Sequence, residues 1–176
     1  MLQKKNSKDV LHECGIISRP IQLETILQCY NIEHVDLPAG ADIFGALVRR
    51  NGRTIIAVNP NQHPNRQRFT IAHELGHFFR HPEEIMEYVD TDFRVLWRNT
   101  ASSKGVDWKE VEANRFAAKL LMPEEMLKQD LQHFPYIDET VMQHLASIYK
   151  VSRIAMQFRL IHLGVLPPEI DPSGQS

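Results

Sequence analysis

The most informative residues of the sequence are His73-Glu74-Leu75-Gly76-His77. Residues four apart on an α-helix lie on the same face, one turn from each other. Two imidazoles at this spacing can converge on one tetrahedral zinc ion, with each nitrogen about 2.0–2.1 Å from the metal. Glu74 adjoins the first histidine, so its carboxylate can reach a water molecule held at the same ion. The five residues therefore predict a helix that carries two metal ligands and a general base.

The residues around this motif predict that the helix is buried. On a helical projection its polar residues share one arc of about 100°, and the other positions are nearly all apolar. The polar residues are Thr70, His73, Glu74, His77 and His81. Buried histidine and glutamate side chains must be paired or bound to something. A metal ion satisfies both histidines at once, and the alternative is a set of hydrogen-bonded core histidines.

His81 continues the four-residue ladder but is a poor third ligand. It lies eight residues after His73, so the two Cα atoms are about 12 Å apart along the helix axis. Pro82 follows and stops the helix. We interpret His81 as a cation or hydrogen-bond donor at the helix C-terminus.

A second helix is predicted downstream, over residues 107–122. Asp107 is a plausible N-cap and Pro123 a stop signal. The helix carries two carboxylates, Glu110 and Glu112, and both flank its apolar stripe, so periodicity does not choose between them as a metal ligand. The alternative is that both are solvated glutamates of the first turn, which the helix dipole favours.

Two longer motifs contain these residues, in order and at ordinary spacing. They read Arg68-Phe69-Thr70-Ile71-Ala72-His73-Glu74-Leu75-Gly76-His77 and Glu112-Ala113-Asn114-Arg115-Phe116-Ala117-Ala118-Lys119-Leu120-Leu121-Met122-Pro123. Together they resemble the ImmA/IrrE family of metallo-endopeptidases. The resemblance implies that Glu112, in the Glu-Ala-Asn triplet, is the third zinc ligand and that Glu74 is the general base. It also implies a transcriptional repressor as the substrate.

The order of elements predicts an α+β fold. We expect a zincin-like arrangement, in which a small, about three-stranded antiparallel or mixed sheet packs on the active-site helix, followed by a helical C-terminal part. Predicted helices cover residues 6–14, 20–30 and 64–80, and predicted strands cover 34–37, 43–49 and 54–58, with a further candidate strand at 93–97. Asn51-Gly52 is typical of a hairpin turn. The predicted parts are a metallopeptidase core (1–125), a helical extension (126–166) and a flexible tail (167–176).

The extension contains helices predicted at 124–133, 138–149 and 153–162, and residues 145–160 are spaced like a helix-turn-helix. Ser152 is the expected cap of the last helix, with Ala146, Val151 and Met156 as a small core. Only Arg153, Gln157 and Arg159 are available to read a DNA groove. We therefore interpret the pair as structural, and DNA contact through it as the alternative.

The composition is that of one ordinary globular domain. The chain has 176 residues and a net charge of −2, which gives no general signal for nucleic-acid binding. Apolar runs stay short of the roughly 18 residues that cross a membrane, and the N-terminus lacks the apolar stretch of a secretory signal. Cys14 and Cys29 have no zinc-type spacing and read as reduced thiols. We expect a cytoplasmic protein with no membrane partner.

The working hypothesis is a zinc-dependent endopeptidase. Zn²⁺ is held by His73, His77 and Glu112, Glu74 is the general base, and the partner is a protein substrate, a repressor or another transcription regulator. The alternative is a DNA-binding or partner-binding regulator whose metal site is structural or vestigial. Structural zinc sites are closed by four protein ligands. The sequence offers no fourth ligand at good spacing, which favours the enzyme.

Overall fold

The computed structural model describes residues 4–38, 41–50, 52–82, 87–90 and 108–168 of the chain. Its elements in chain order are α1 (Ser7–Glu13), α2 (Leu23–Cys29), β1 (Ile32–Asp36), β2 (Gly45–Arg50), β3 (Arg53–Val58), α3 (Pro64–Arg80), β4 (Glu87–Asp90), α4 (Trp108–Leu121), α5 (Glu124–Leu131), α6 (Glu139–Tyr149) and α7 (Arg153–His162). The predicted α+β class is confirmed. Within the described ranges, no helix has the length and apolar character needed to span a bilayer.

The strands form one mixed sheet in the order β1-β3-β2-β4. β1 runs parallel to β3, whereas β2 is antiparallel to both β3 and β4. The predicted hairpin joins β2 and β3, because Arg50 pairs with Arg53 across a two-residue turn. Gly52 in that turn has φ +76°, a conformation that glycine adopts without strain. The sheet thus has one short strand more than the three expected, and the candidate strand at 93–97 lies outside the described residues.

Most predicted boundaries agree with the structure to within about two residues, the usual uncertainty of helix and strand ends. The exception is α2, which was expected from residue 20 and begins at Leu23. Backbone carbonyl groups of the residues before it accept hydrogen bonds from side chains instead. The Pro20 carbonyl accepts a hydrogen bond from Gln22 Nε2 at 3.2 Å, and the Ile21 carbonyl accepts one from Arg68 Nη2 at 2.9 Å.

Helix α3 lies between the sheet and α4. Pro64 is its first residue, where a missing N–H costs nothing, and the ring of His63 accepts a hydrogen bond from the Asn65 N–H at 3.2 Å. All residues from 70 to 79 are buried, as the apolar residues around the motif predict. On one side α3 contacts β2 and β3, and on the other it contacts α4.

The contact between α3 and α4 is closest at Gly76. A Cβ atom on Gly76 would lie 2.8 Å from the Cα and 2.9 Å from the carbonyl oxygen of Ala113. Real carbon atoms do not approach so closely, so a residue without a side chain is needed here. This approach brings the first turns of α4 against the polar face of α3.

The C-terminal helices show the local features that the sequence predicts. Ser152 Oγ accepts a hydrogen bond from the Ala155 N–H at 3.1 Å and caps α7. The predicted small core of Ala146, Val151 and Met156 is buried. The turn lacks glycine, and Lys150 itself adopts the left-handed conformation, with φ 54°.

Two side chains join this helical pair to the rest of the protein. Arg159 is 7% exposed, and its Nε donates to the carbonyl of Met122, just after α4, at 3.0 Å. Asn65 Nδ2, at the start of α3, donates to the Val151 carbonyl at 2.9 Å. These contacts support the structural interpretation of the pair. The boundaries of the three parts at residues 125 and 166 stay predictions.

Candidate metal centre

His73 and His77 point to the same place from one face of α3. Their Nε2 atoms are 3.0 Å apart, and the ring centroids are 4.7 Å apart with a steep angle between the planes. The two side chains are 0% and 3% exposed. The two histidine rings therefore converge, as their four-residue spacing predicts.

Glu110, in the first turn of α4, brings its carboxylate to the same point. Its Oε2 is 3.2 Å from His73 Nε2, and its Oε1 is 3.1 Å from His77 Nε2. Two ligands that each lie about 2.1 Å from a tetrahedral ion are about 3.4 Å apart. The three observed separations are close to that spacing, so His73, His77 and Glu110 can hold one metal ion.

The position of Glu110 corrects the assignment of Glu112 that the resemblance suggested. Glu112 turns away from the two histidines and accepts hydrogen bonds from Arg80, at 2.9 Å from Nε and 2.5 Å from Nη2. Successive residues of a helix are rotated by 100°, so residues two apart lie on nearly opposite sides. Because Glu110 faces His73 and His77, Glu112 points away from them and contacts the end of α3, at Arg80.

A signal in the sequence could have identified Glu110. Residues three and four further on, Ala113 and Asn114, share its face of the helix and are buried with it. Small residues on one helix face mark a close contact with a neighbouring helix, and Ala113 contacts Gly76. The face that carries Glu110 is thus the face that meets the histidines.

His81 lies beside this group and not in it. Its ring is buried, 5.7 Å from the ring of His77, and its Nε2 is 3.4 Å from Glu112 Oε2. In the part of the chain that the structure describes, the cluster able to hold a metal contains His73, His77 and Glu110 alone. The placement agrees with the interpretation of His81 as a polar group at the helix C-terminus.

Asn114 orients the first histidine. The Nδ1 of His73 lies 2.9 Å from Asn114 Oδ1, and since an amide oxygen only accepts, Nδ1 carries the proton. The lone pair of the ring is then on Nε2, the nitrogen that faces His77 and Glu110. An outer partner that fixes the tautomer in this way is typical of metal-binding histidines, so the residues present fit a metal ion.

The electrostatics favour the forms that bind a cation. Burial by itself raises the pKa of Glu110, but hydrogen bonding to His73 and His77 outweighs burial and lowers the pKa to about 2. Burial lowers the pKa of His77, because a charged imidazole is poorly solvated there. A charged carboxylate and a neutral imidazole are the protonation states that coordinate metals.

Glu74 is fully buried on the same face of α3, beside the first residue of β2. A Cβ on Gly45 would lie 3.3 Å from Glu74 Oε1 and 2.3 Å from Thr70 Cγ2. Gly45 therefore lets the β2 backbone approach Glu74. The sequence reasoning missed this residue, although a glycine at a strand end is a known sign of close backbone approach.

Comparison with known proteins identifies two relatives of this chain. Metallopeptidase ImmA of Bacillus subtilis (strain 168) is 30% identical to this chain over 107 residues, which cover 61% of the chain and 56% of that protein. A protein of Bacillus phage phi105 named "Uncharacterized immunity region protein 2" is 30% identical over 112 residues, which cover 64% of the chain and 63% of that protein. The chain thus matches less than two thirds of the length of either relative.

The family Peptidase_M78, described as the IrrE N-terminal-like domain, matches residues 30–161. This range contains the whole sheet as well as α3 and α4, and so includes every residue of the candidate metal centre. The match also extends through α6 and most of α7. The fold, the His/His/Glu cluster and the extent of the match lead to one conclusion, that this chain belongs to the Peptidase_M78 family of IrrE N-terminal-like domains.

Proposed function

We propose that the chain is a zinc-dependent endopeptidase, in which His73, His77 and Glu110 hold the metal and Glu74 is the general base. One observation carries this proposal. Three side chains from two helices converge, with separations of 3.0–3.2 Å between their nitrogen and oxygen atoms, and a fully buried carboxylate adjoins the first of these residues in the chain.

The donor set supports zinc and a catalytic site. Two imidazole nitrogens and one carboxylate oxygen are typical of zinc enzymes, which keep the fourth position for water or substrate. Over the described ranges the cluster has three members, His73, His77 and Glu110, so a fourth position is left for water. A closed structural site needs a fourth protein ligand.

The metal and Glu74 have separate roles in the proposed reaction. Zinc held by His73, His77 and Glu110 would supply a Lewis acid for the scissile carbonyl and would lower the pKa of a water molecule to about 7. The carboxylate of Glu74 takes a proton from the attacking water as its oxygen bonds to the carbonyl carbon. Glu74 then gives this proton to the amide nitrogen, the C–N bond breaks, and the products are a carboxylic acid and an amine, which become carboxylate and ammonium when the acid releases the second proton of the water.

The proposed substrate is a protein, a transcriptional repressor. The likeness to the ImmA/IrrE family supports this, as does the similarity to one relative named a metallopeptidase and another named for a phage immunity region. Repressors act on DNA in the cytoplasm, so the proposal places the reaction there, as the free thiols of Cys14 and Cys29 also suggest.

The alternative of a DNA-binding regulator has less support. Arg153 forms an ion pair with Glu139 at 3.1 Å and donates to Gln157 at 3.0 Å. Arg159 is buried against the Met122 carbonyl and does not face solvent. The arginines that were available to contact DNA are thus engaged within the chain, so few phosphates can be neutralised.

The test is cleavage of the repressor encoded beside the gene, with Glu74→Gln as the control. This variant keeps the volume of the side chain and removes the base, so we expect turnover to fall by about 10²-fold or more while zinc content is unchanged. Equal cleavage by the variant would refute the role of Glu74. Cleavage of an unfolded protein but not of the repressor would keep the peptidase and reject this substrate.

A further inference from the structure

One carboxylate, that of Glu112, connects the second turn of α4 with the end of α3. Its Oε1 accepts two hydrogen bonds from Arg80, the last residue of α3. Its Oε2 lies 3.4 Å from Nε2 of His81, the residue after the helix. The two oxygens therefore contact the last residue of α3 and the residue after it, and we call this group of three residues the Glu112 bridge.

The bridge adjoins the least constrained member of the metal centre. Glu110 is the third residue of α4, in the first helical turn, where backbone N–H groups have no partner within the helix. Such a turn frays unless outside contacts hold it. His73 and His77, by contrast, lie in the interior of a buried 17-residue helix.

Several contacts hold the start of α4, and two of them have different effects. The contact between Gly76 and Ala113 sets how closely the two helices approach. This van der Waals contact has no preferred direction, so by itself it does not prevent α4 from rotating about its own axis. The Glu112 bridge opposes this rotation, as does the hydrogen bond between His73 and Asn114, because side-chain hydrogen bonds of this kind have a fixed direction. Rotation of α4 would carry Glu110 away from the histidines.

We propose that Glu112 is a positioning residue for the metal centre, whose bridge to Arg80 and His81 keeps Glu110 at ligand distance from His73 and His77. The inference rests on the proposed metal site and assigns Glu112 no contact with the metal. An outer contact of this kind typically changes metal affinity by about 10- to 100-fold. Both Arg80 and Glu112 have side chains 30% exposed, so we expect the lower end of that range.

The experiment measures zinc affinity of the full chain by competition with a chromophoric chelator. Glu112→Gln and Arg80→Gln should each weaken zinc binding about 10-fold while the protein still binds one zinc per chain. The double variant should lose little more than either single variant, because both substitutions break one bridge. Glu110→Gln, which removes a ligand, should have the largest effect.

A matched control is Glu124→Gln, which breaks the exposed Glu124–Lys128 pair at 2.6 Å on α5. It should leave zinc affinity unchanged. Urea unfolding of the metal-free proteins, measured in parallel, separates positioning from general stability. If Glu112→Gln lowers stability but leaves the zinc affinity of the folded protein unchanged, the proposal is overturned.

Three outcomes separate this inference from the proposed function. If Glu112→Gln abolishes zinc binding and Glu110→Gln does not, Glu112 is a ligand and the positioning role is wrong. If the unmodified protein binds no zinc, the proposed function fails together with this inference. Unchanged zinc affinity in Glu112→Gln, with tight binding by the unmodified protein, overturns the inference alone.

Discussion

Substitution of Gly76 by alanine tests whether the close approach of α3 and α4 builds the metal centre. The added Cβ would lie 2.8 Å from the Cα of Ala113. Carbon atoms in unstrained contact are about 3.5–4.0 Å apart, so the α4 backbone must retreat by at least about 0.7 Å. Ligand distances in a metal site are held to about 0.2 Å. The retreat exceeds that tolerance, and it acts one turn from Glu110.

Gly76→Ala should change the zinc affinity more than it changes the stability of the fold. Overpacking a buried contact costs about 1–3 kcal/mol, whereas alanine is favoured over glycine inside a helix by up to about 1 kcal/mol. The free energy of unfolding of the metal-free protein should therefore fall by only about 0–2 kcal/mol. Zinc affinity should fall by at least about 10-fold, because Glu110 is displaced while the histidines stay in place.

The assay combines zinc competition with urea unfolding of the metal-free Gly76→Ala protein. Ala113→Gly in the same background is an informative second variant. The atoms that Cβ meets are the Cα, carbonyl carbon and oxygen of Ala113, so removal of the Ala113 methyl group should not restore zinc affinity. Unchanged zinc affinity in Gly76→Ala, or full rescue by Ala113→Gly, would refute the reasoning.

Three further predictions concern separate parts of the molecule. Glu110→Gln should lower the zinc bound per chain, as metal analysis after dialysis can show, and full retention of zinc would contradict its role as a ligand. Gly45→Ala should slow peptide cleavage about 10-fold or more with zinc retained, because the new Cβ would lie 2.3 Å from Thr70 Cγ2, one turn before Glu74, and 3.3 Å from Glu74 Oε1. Unchanged turnover would exclude an effect of this crowding on Glu74. Arg159→Met should destabilise the fold by about 1–3 kcal/mol in urea, since it removes a donor to the buried Met122 carbonyl, and a neutral result would show that another donor replaces it.

Much of the local structure follows from nearest neighbours and helical periodicity. The positions of α3, α4 and α7 are predictable because each has a continuous apolar face and recognisable ends, such as Pro64 and the Ser152 cap. The hairpin at Gly52 is predictable because glycine is one of the few residues that tolerate its conformation. The parallel pairing of β1 with β3 is not predictable in the same way, because it joins strands that are distant in the chain.

The sequence is enough to place His73 and His77 on one face of a buried helix, with Glu74 beside them, because these relations depend only on helix geometry. It did not determine the third ligand. Glu110 and Glu112 are both local candidates, and the choice between them depends on which side of α4 faces α3. That side is decided by the contact of Gly76 with Ala113 and by the pairing of Arg80 with Glu112. Both are contacts between helices, and only the tertiary structure contains them.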